Sequence, residues 1–253
     1  MVLSDLSNVM PKIKTILVVG ASGATGRLLV EQLLIRGQSV KAIVRSPKSL
    51  PEPLREDPRL SLIHASISEL SDSEIATYAD GCDAVASCLG HNLTFKGLFG
   101  RPRRLVTDAT RRLCNAIQLS HPEFPTRVVL MNTTGNRNRD LNEPISFAQK
   151  CVIGLLRLLL PPHTDNEDAA DYLRTKIGQN DHMIEWVAVR PDGLVDDESV
   201  SEYELYASPT RSAIFDAGKT SRINVAHFMS NLITDEKIWQ KWKGQMPVIY
   251  NKA

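Results

Sequence analysis

The stretch VVGASGATGR, Val18 to Arg27, sets Gly20, Gly23 and Gly26 three residues apart between an apolar run and a helix-forming run. Glycines at that spacing suit a phosphate cradle. The first permits a tight turn, the second lets a pyrophosphate approach the backbone, and the third allows close helix-to-strand packing. The phosphates then meet free N–H groups at the helix start, where the helix dipole also favours an anion. Gly20, Ser22, Gly23, Ala24, Thr25, Gly26 and Arg27 form the candidate cradle. Further on, SVKAIVRSPK carries no acid and offers Arg45, Ser46 and Lys48. An acid there would accept hydrogen bonds from the adenosine ribose hydroxyls, whereas a guanidinium suits a 2′-phosphate, which points to NADP(H). A third pattern is Tyr172 with Lys176, four residues apart. On a helix the two share a face.

Such residues need elements to hold them. TILVVG, SVKAIVR, LSLIHA, DAVASCLG, RVVLMN and IEWVAVRP are short, nearly continuous apolar or β-branched runs, as strands buried on both faces are. Between them ATGRLLVEQLLIRG predicts a helix ending at Gly37, and RRLVTDATRRLCNAIQL predicts one from about Arg103 to Leu119. Two more are expected, from about Glu167 to Gln179 and within Asn224 to Thr234, followed by a short strand at PVIYN. Strand and helix in alternation predict an α/β, Rossmann-type, doubly wound parallel sheet. SPKSLPEPLREDP and NRNRDLNEP read as surface excursions.

A chain of 253 residues, 42% hydrophobic, suits one domain over 1–253, with a flexible leader at 1–14 and a small substrate-side region at about 191–253. Thirty basic against 29 acidic residues leave a net charge of +1, so no overall field draws the chain to nucleic acid or to acidic membranes. Cys82, Cys88, Cys114 and Cys151 have no metal-like spacing with the six histidines and read as reduced thiols of a cytoplasmic protein. FAQKCVIGLLRLLLPP, Phe147 to Pro162, contains Lys150 and Arg157 and falls short of the ~20 apolar residues of a membrane span. It is expected to pack on the body or roof a site.

GASGATGR, Arg45, CLG, TDATRRLCNAI and WVAVRPDGLVD together resemble the atypical short-chain dehydrogenase/reductase superfamily. Within it the likeness is to the NAD(P)H-binding group of flavin reductase/biliverdin reductase B-like and NmrA-like proteins, and it runs from about Thr15 to Tyr250. The resemblance implies that Ala65 and Ser66 contact adenine, although many relatives have Asp where Ser66 stands. It implies that Leu89 and Gly90 lie along the ribose and pyrophosphate, that Thr133 stands near the nicotinamide, and that Pro191 flanks the ring. It also sets a register for the tyrosine–lysine pair about two helical turns earlier, near His163 and Thr164, with Asp168 in the lysine's place. Tyr172 and Lys176 therefore read as a coincidental match. His91, after CLG, is a further residue that could face a substrate.

Flavin and biliverdin reductase-like relatives lack a dedicated tyrosine and hold a planar acceptor against the nicotinamide, so that proximity drives transfer and solvent supplies the proton. The leading expectation is an NADPH-dependent reductase of a planar acceptor with Thr133 at the reacting end. A non-catalytic NADP(H) sensor and a cofactor-assisted epimerase or isomerase stay open, since fold alone does not choose.

Overall fold

TILVV, Thr15–Val19, is nearly all buried and forms β1 at the middle of the sheet. The computed structural model describes residues 13–91, 100, 102–141, 143, 146, 148, 152–155 and 161–252. The strands after β1 are β2 (Ser39–Val44), β3 (Leu60–His64), β4 (Ala84–Ser87), β5 (Thr126–Met131), β6 (Ile184–Pro191), β7 (Gly193–Val195), β8 (Tyr203–Tyr206), β9 (Lys219–Ser221) and β10 (Val248–Asn251). The main sheet has eight strands in the order β3-β2-β1-β4-β5-β6-β10-β8. Every neighbouring pair is parallel except β10 with the edge strand β8. The expected Rossmann-type sheet is thus present, and β7 pairs with β9 in a small ribbon beside it.

The helices are α1 (Ala24–Ile35), α2 (Glu52–Arg55), α3 (Asp72–Ala79), α4 (Leu105–Ser120), α5 (Pro161–Tyr172), α6 (Arg222–Thr234) and α7 (Glu236–Trp242). On one face of the sheet, Leu29, Val30 and Leu33 of α1 pack with Phe228, Met229 and Leu232 of α6 and Trp239 of α7. On the other, Ile75, Leu113, Ile117, Leu173 and Trp186 meet. Each such large apolar side chain contributes roughly 1.5–3 kcal/mol by leaving water. Residues after Pro191 therefore supply the core-covering helices α6 and α7 and strand β10 of the main sheet.

Helix ends follow local chemistry. α1 stops at Gly37, φ +74°, whose N–H donates to the Leu34 carbonyl while that of Gln38 donates to Leu33. Ser71 and Glu74 form a reciprocal capping box that starts α3, an element absent from the reading above. The helix expected over 167–179 begins earlier, at Pro161, a residue preset for a first turn, and closes in a π turn, Leu173–Ile177, before Gly178. SPKSLPEPLREDP is not all loop, since it contains α2 and a 3₁₀ turn at Pro47–Ser49. The leader, Cys151 and most of Phe147 to Pro162 lie outside the described residues, although 152–155 is helical with Ile153 buried.

NRNRDLNEP departs most from expectation. Asn136, Asn138 and Glu143 are buried, because this loop wraps Arg190, which is 0% exposed. Arg190 Nη2 and Nη1 donate to the Glu143 carboxylate at 2.7 and 3.1 Å. Its remaining N–H groups reach the Met246, Asn136 and Ala207 carbonyls. A guanidinium on β6 thereby ties the loop after β5 to two other segments. Removing one partner of a fully buried pair typically costs about 3–5 kcal/mol, because the other charge stays behind in the interior. Glu143→Gln should lower unfolding free energy by about that amount in urea titrations. A change below ~1 kcal/mol would show that the loop is held by other contacts.

Candidate functional site: a nucleotide cleft at the sheet's switch point

Strand order reverses beside β1, with β2 on one side and β4 on the other. In open α/β sheets ligands bind outside the carboxyl ends of the strands at such a point. A cleft of about 230 Å³ lies there, lined by Gly20, Ser22 and Gly23 after β1, Arg45 after β2, Ala65 and Ser66 after β3, and Leu89 and Gly90 after β4. Eight of the fifteen residues predicted for the site thus meet in one cavity.

The three glycines divide the work. Gly20 takes φ +73°, and a Cβ there would lie 2.6 Å from the Cys88 carbonyl. A Cβ on Gly26 would lie 2.1 Å from the Gly20 oxygen, so this buried glycine seats the first turn of α1 on the loop. Gly23 is extended, exposed, and would bring a Cβ no nearer than 3.2 Å to the Gly20 oxygen. Its lack of a side chain is therefore room for a ligand. No side chain caps α1 and its first turn carries no acid, which leaves an anion-favouring helix start. Ala24 and Arg27 are exposed on that turn and Thr25 is buried in it.

Arg45 is exposed at the cleft edge, and among the described residues no ion pair holds it. Its carbonyl pairs with His64 Nε2 at 2.9 Å, fixing the backbone while leaving the guanidinium to the cleft. Ser46 is exposed next to it and opens the 3₁₀ turn. Ser66 Oγ meets Ser68 Oγ at 2.9 Å. Burial pushes the Cys88 thiol in the cleft up to about 12, so it stays protonated.

Thr133, just past the end of β5, and Pro191, the last residue of β6, stand outside this cavity, on the next two strands of the sheet. Thr133 Oγ1 accepts the Gly135 N–H at 3.2 Å, which leaves its own proton for a ligand. Pro191 is buried, and its carbonyl accepts the Thr134 N–H at 3.1 Å. His163 packs over Gly135, its Cε1 3.4 Å from where a Cβ would be, and its Nε2 lies 3.5 Å from Glu167 Oε1.

The tyrosine–lysine pair is elsewhere. α5 crosses from the end of β5 back to the start of β6, so its first turn faces the cleft side and Tyr172 comes at the opposite end of the sheet. Tyr172 packs on the core near Cys114 and Asp181, and burial raises its pKa further; Lys176 is exposed in the π turn. The second turn of α5 instead supplies Asp165, which the sequence reading passed over. Its carboxylate accepts the Val106 and Thr107 N–H groups at 2.8 and 2.9 Å and meets His91 Nε2 at 2.8 Å. His91 is thus a cleft wall fastened from behind, rather than a solvated loop residue.

Fold and cleft together define a dinucleotide-binding domain. Residues 20–236 match the model of the family described as NAD(P)H-binding, and the chain belongs to that family. An uncharacterized chloroplastic protein of Arabidopsis thaliana is 38% identical over 79 residues, 31% of this chain and 28% of that protein's length. Among solved structures, a short-chain dehydrogenase/reductase of Veillonella parvula in complex with NADP superposes with a TM-score of 0.69 at 16% identity, covering 96% of each chain. A proposed NADH-flavin reductase of Streptococcus pneumoniae gives 0.62 at 20% identity, covering 94% of this chain and all (100%) of its own. These likenesses carry the fold. No helix among the described residues is long and apolar enough to cross a membrane.

Gly23→Val should fold with near-wild-type thermal stability yet gain no stabilisation from NADP⁺, whereas Gly26→Val should lose about 1–3 kcal/mol or more by overpacking. Thermal unfolding with and without nucleotide reads both. A Gly23→Val chain that still gains the full shift places the cradle elsewhere.

Proposed function

We propose that the chain is an NADPH-dependent reductase of a planar, flavin-, quinone- or tetrapyrrole-like acceptor that works without a tyrosine–lysine acid pair. The observation that carries the reading is the polarity of α5. It sets Tyr172 and Lys176 at the end of the sheet away from the cleft, whereas Thr133, following β5, lies at the cleft end. NADPH, when bound, supplies a hydride. The residues' part is to bind, orient and exclude. The N–H groups of Ala24 to Gly26 would hold the pyrophosphate, Arg45 the 2′-phosphate, and Ala65, Ser66, Leu89 and Gly90 the adenosine side. Thr133 would donate its hydroxyl at the reacting end, with Pro191 as a wall. Holding two reactants in register replaces much of the need for a strong acid, and water can supply the proton to a large conjugated acceptor. A reducing, cytoplasmic setting suits the free thiols Cys82, Cys88 and Cys114.

NADPH should bind more tightly than NADH, and Arg45→Ala should close the gap by roughly tenfold or more. Titrations of both nucleotides against both proteins check this; equal wild-type affinities remove the 2′-phosphate site. With saturating NADPH and a panel of flavins and quinones, Tyr172→Phe should keep turnover within about tenfold, since a true general acid contributes ~10²–10⁴-fold. Thr133→Val should cost more than that change. A nucleotide that binds but is never consumed, whatever the acceptor, would instead mark a sensor.

A further inference from the structure

Beside the end of β5 lies a second cavity, of about 370 Å³, walled by Thr134, Gly135 and Arg137 on one side and by Arg211 and Asp216 on the other. Gly135 is shared ground. It forms this wall, and it also lies beneath His163 and donates to Thr133 Oγ1. The cavity therefore opens next to the candidate reacting end, while the nucleotide cleft lies toward β1, β2 and β3.

Its charges are unevenly matched. Glu143, also on the wall, has both carboxylate oxygens engaged by Arg190. Arg211 and Asp216 pair with each other at 2.6 Å. Asp192, just behind Thr134, takes the Thr134 hydroxyl at 3.0 Å and the Gly218 N–H at 2.8 Å. Arg137 differs. One arm, Nη2, donates to the Glu143 carbonyl at 2.8 Å, and no carboxylate pairs with it among the described residues. Its Nε is buried with no hydrogen-bond partner. A buried donor left unmet on a charged group is costly, and structures rarely keep one without a role. The arm already bound holds the guanidinium in place, so an anion entering the cavity meets a fixed positive charge that no carboxylate among the described residues has matched.

Resting on the reductase reading, we propose that Arg137 anchors the acceptor through an anionic substituent, so that the protein selects planar acceptors bearing a carboxylate or phosphate over neutral ones. The nucleotide's phosphates do not need this residue, because the α1 start and Arg45 lie two and three strands away along the sheet. The acceptor's charge is what remains to be matched.

Two matched pairs of probes test this: flavin mononucleotide against riboflavin, and anthraquinone-2-carboxylate against its amide. Binding is measured with NADP⁺ present, by fluorescence quenching or calorimetry, so that no turnover is needed. The anionic member should bind roughly 10- to 100-fold more tightly, as one charge-assisted hydrogen bond allows. Arg137→Met should erase the gap while leaving NADP⁺ affinity unchanged. Arg137→Lys, which keeps the charge but loses the planar fork, should narrow it, and stands in if the methionine variant does not fold. A larger gap in the flavin pair alone identifies phosphate as the preferred anion, and in the quinone pair alone, carboxylate. Equal binding within both pairs, no binding of any probe, or a gap that persists in Arg137→Met overturns the proposal. NADPH oxidation by the same acceptors is scored separately, so a chain that binds anions selectively but oxidises nothing rejects the reductase reading and keeps the anion site.

Discussion

A backbone-to-backbone contact governs this molecule. Gly20 approaches the Cys88–Leu89 peptide so closely that no side chain fits, and Gly26 approaches Gly20 in the same way. The first contact brings the turn after β1 against the turn after β4, across the point where the sheet changes direction. The second sets the start of α1 directly on that turn. With both in place, the helix start, the ends of β2 and β3, and the CLG turn have to surround one cleft. A methyl group at either position separates elements that otherwise assemble the nucleotide site without further instruction.

The region past β5 is built on a different principle. There the chain relies on buried charged and polar groups, of which Glu143, Arg190 and Asp165 are each held by several partners. Glu143 and Arg190 hold the loop 136–143 inward, and Asp165 joins α5, α4 and His91 in one cluster. Such arrangements specify geometry more than they add stability, since the desolvation of both charges offsets much of their attraction. They suit a region that must present a few side chains at fixed positions while most neighbouring segments are loops.

Much of the first principle was legible in the sequence, and little of the second. The strands of the parallel sheet were readable because both faces are buried, which makes TILVV and IEWVAVRP nearly continuous apolar runs. The glycine spacing was readable because the turn it makes is local. α3 escaped notice although Ser71 and Glu74 mark its start, because only Ile75 and Ala79 of its eight residues are buried and the apolar pattern is thin. The loop 136–143 looked solvated because asparagines, arginines and acids dominate it. Its burial depends on Arg190, a residue 47 positions from Glu143, and no local pattern announces such a partner. Arg137 was hidden for the same reason. The tyrosine–lysine spacing was present and helical, but spacing along one helix does not say which end of the sheet it reaches; the direction of the crossover does.

Asp165 also gives the cleft a sense of direction. Two helices begin at its rim, α1 beside Gly23 and α4 at Leu105. The positive end of α4 is already neutralised by a buried carboxylate, while the positive end of α1 is bare. An anion entering the groove is therefore favoured at the α1 rim over the α4 rim. Arg45, exposed after β2 with no ion pair among the described residues, adds positive charge on the α1 side. One internal carboxylate and one exposed arginine thus give a symmetric-looking crevice an electrostatic polarity along the sheet.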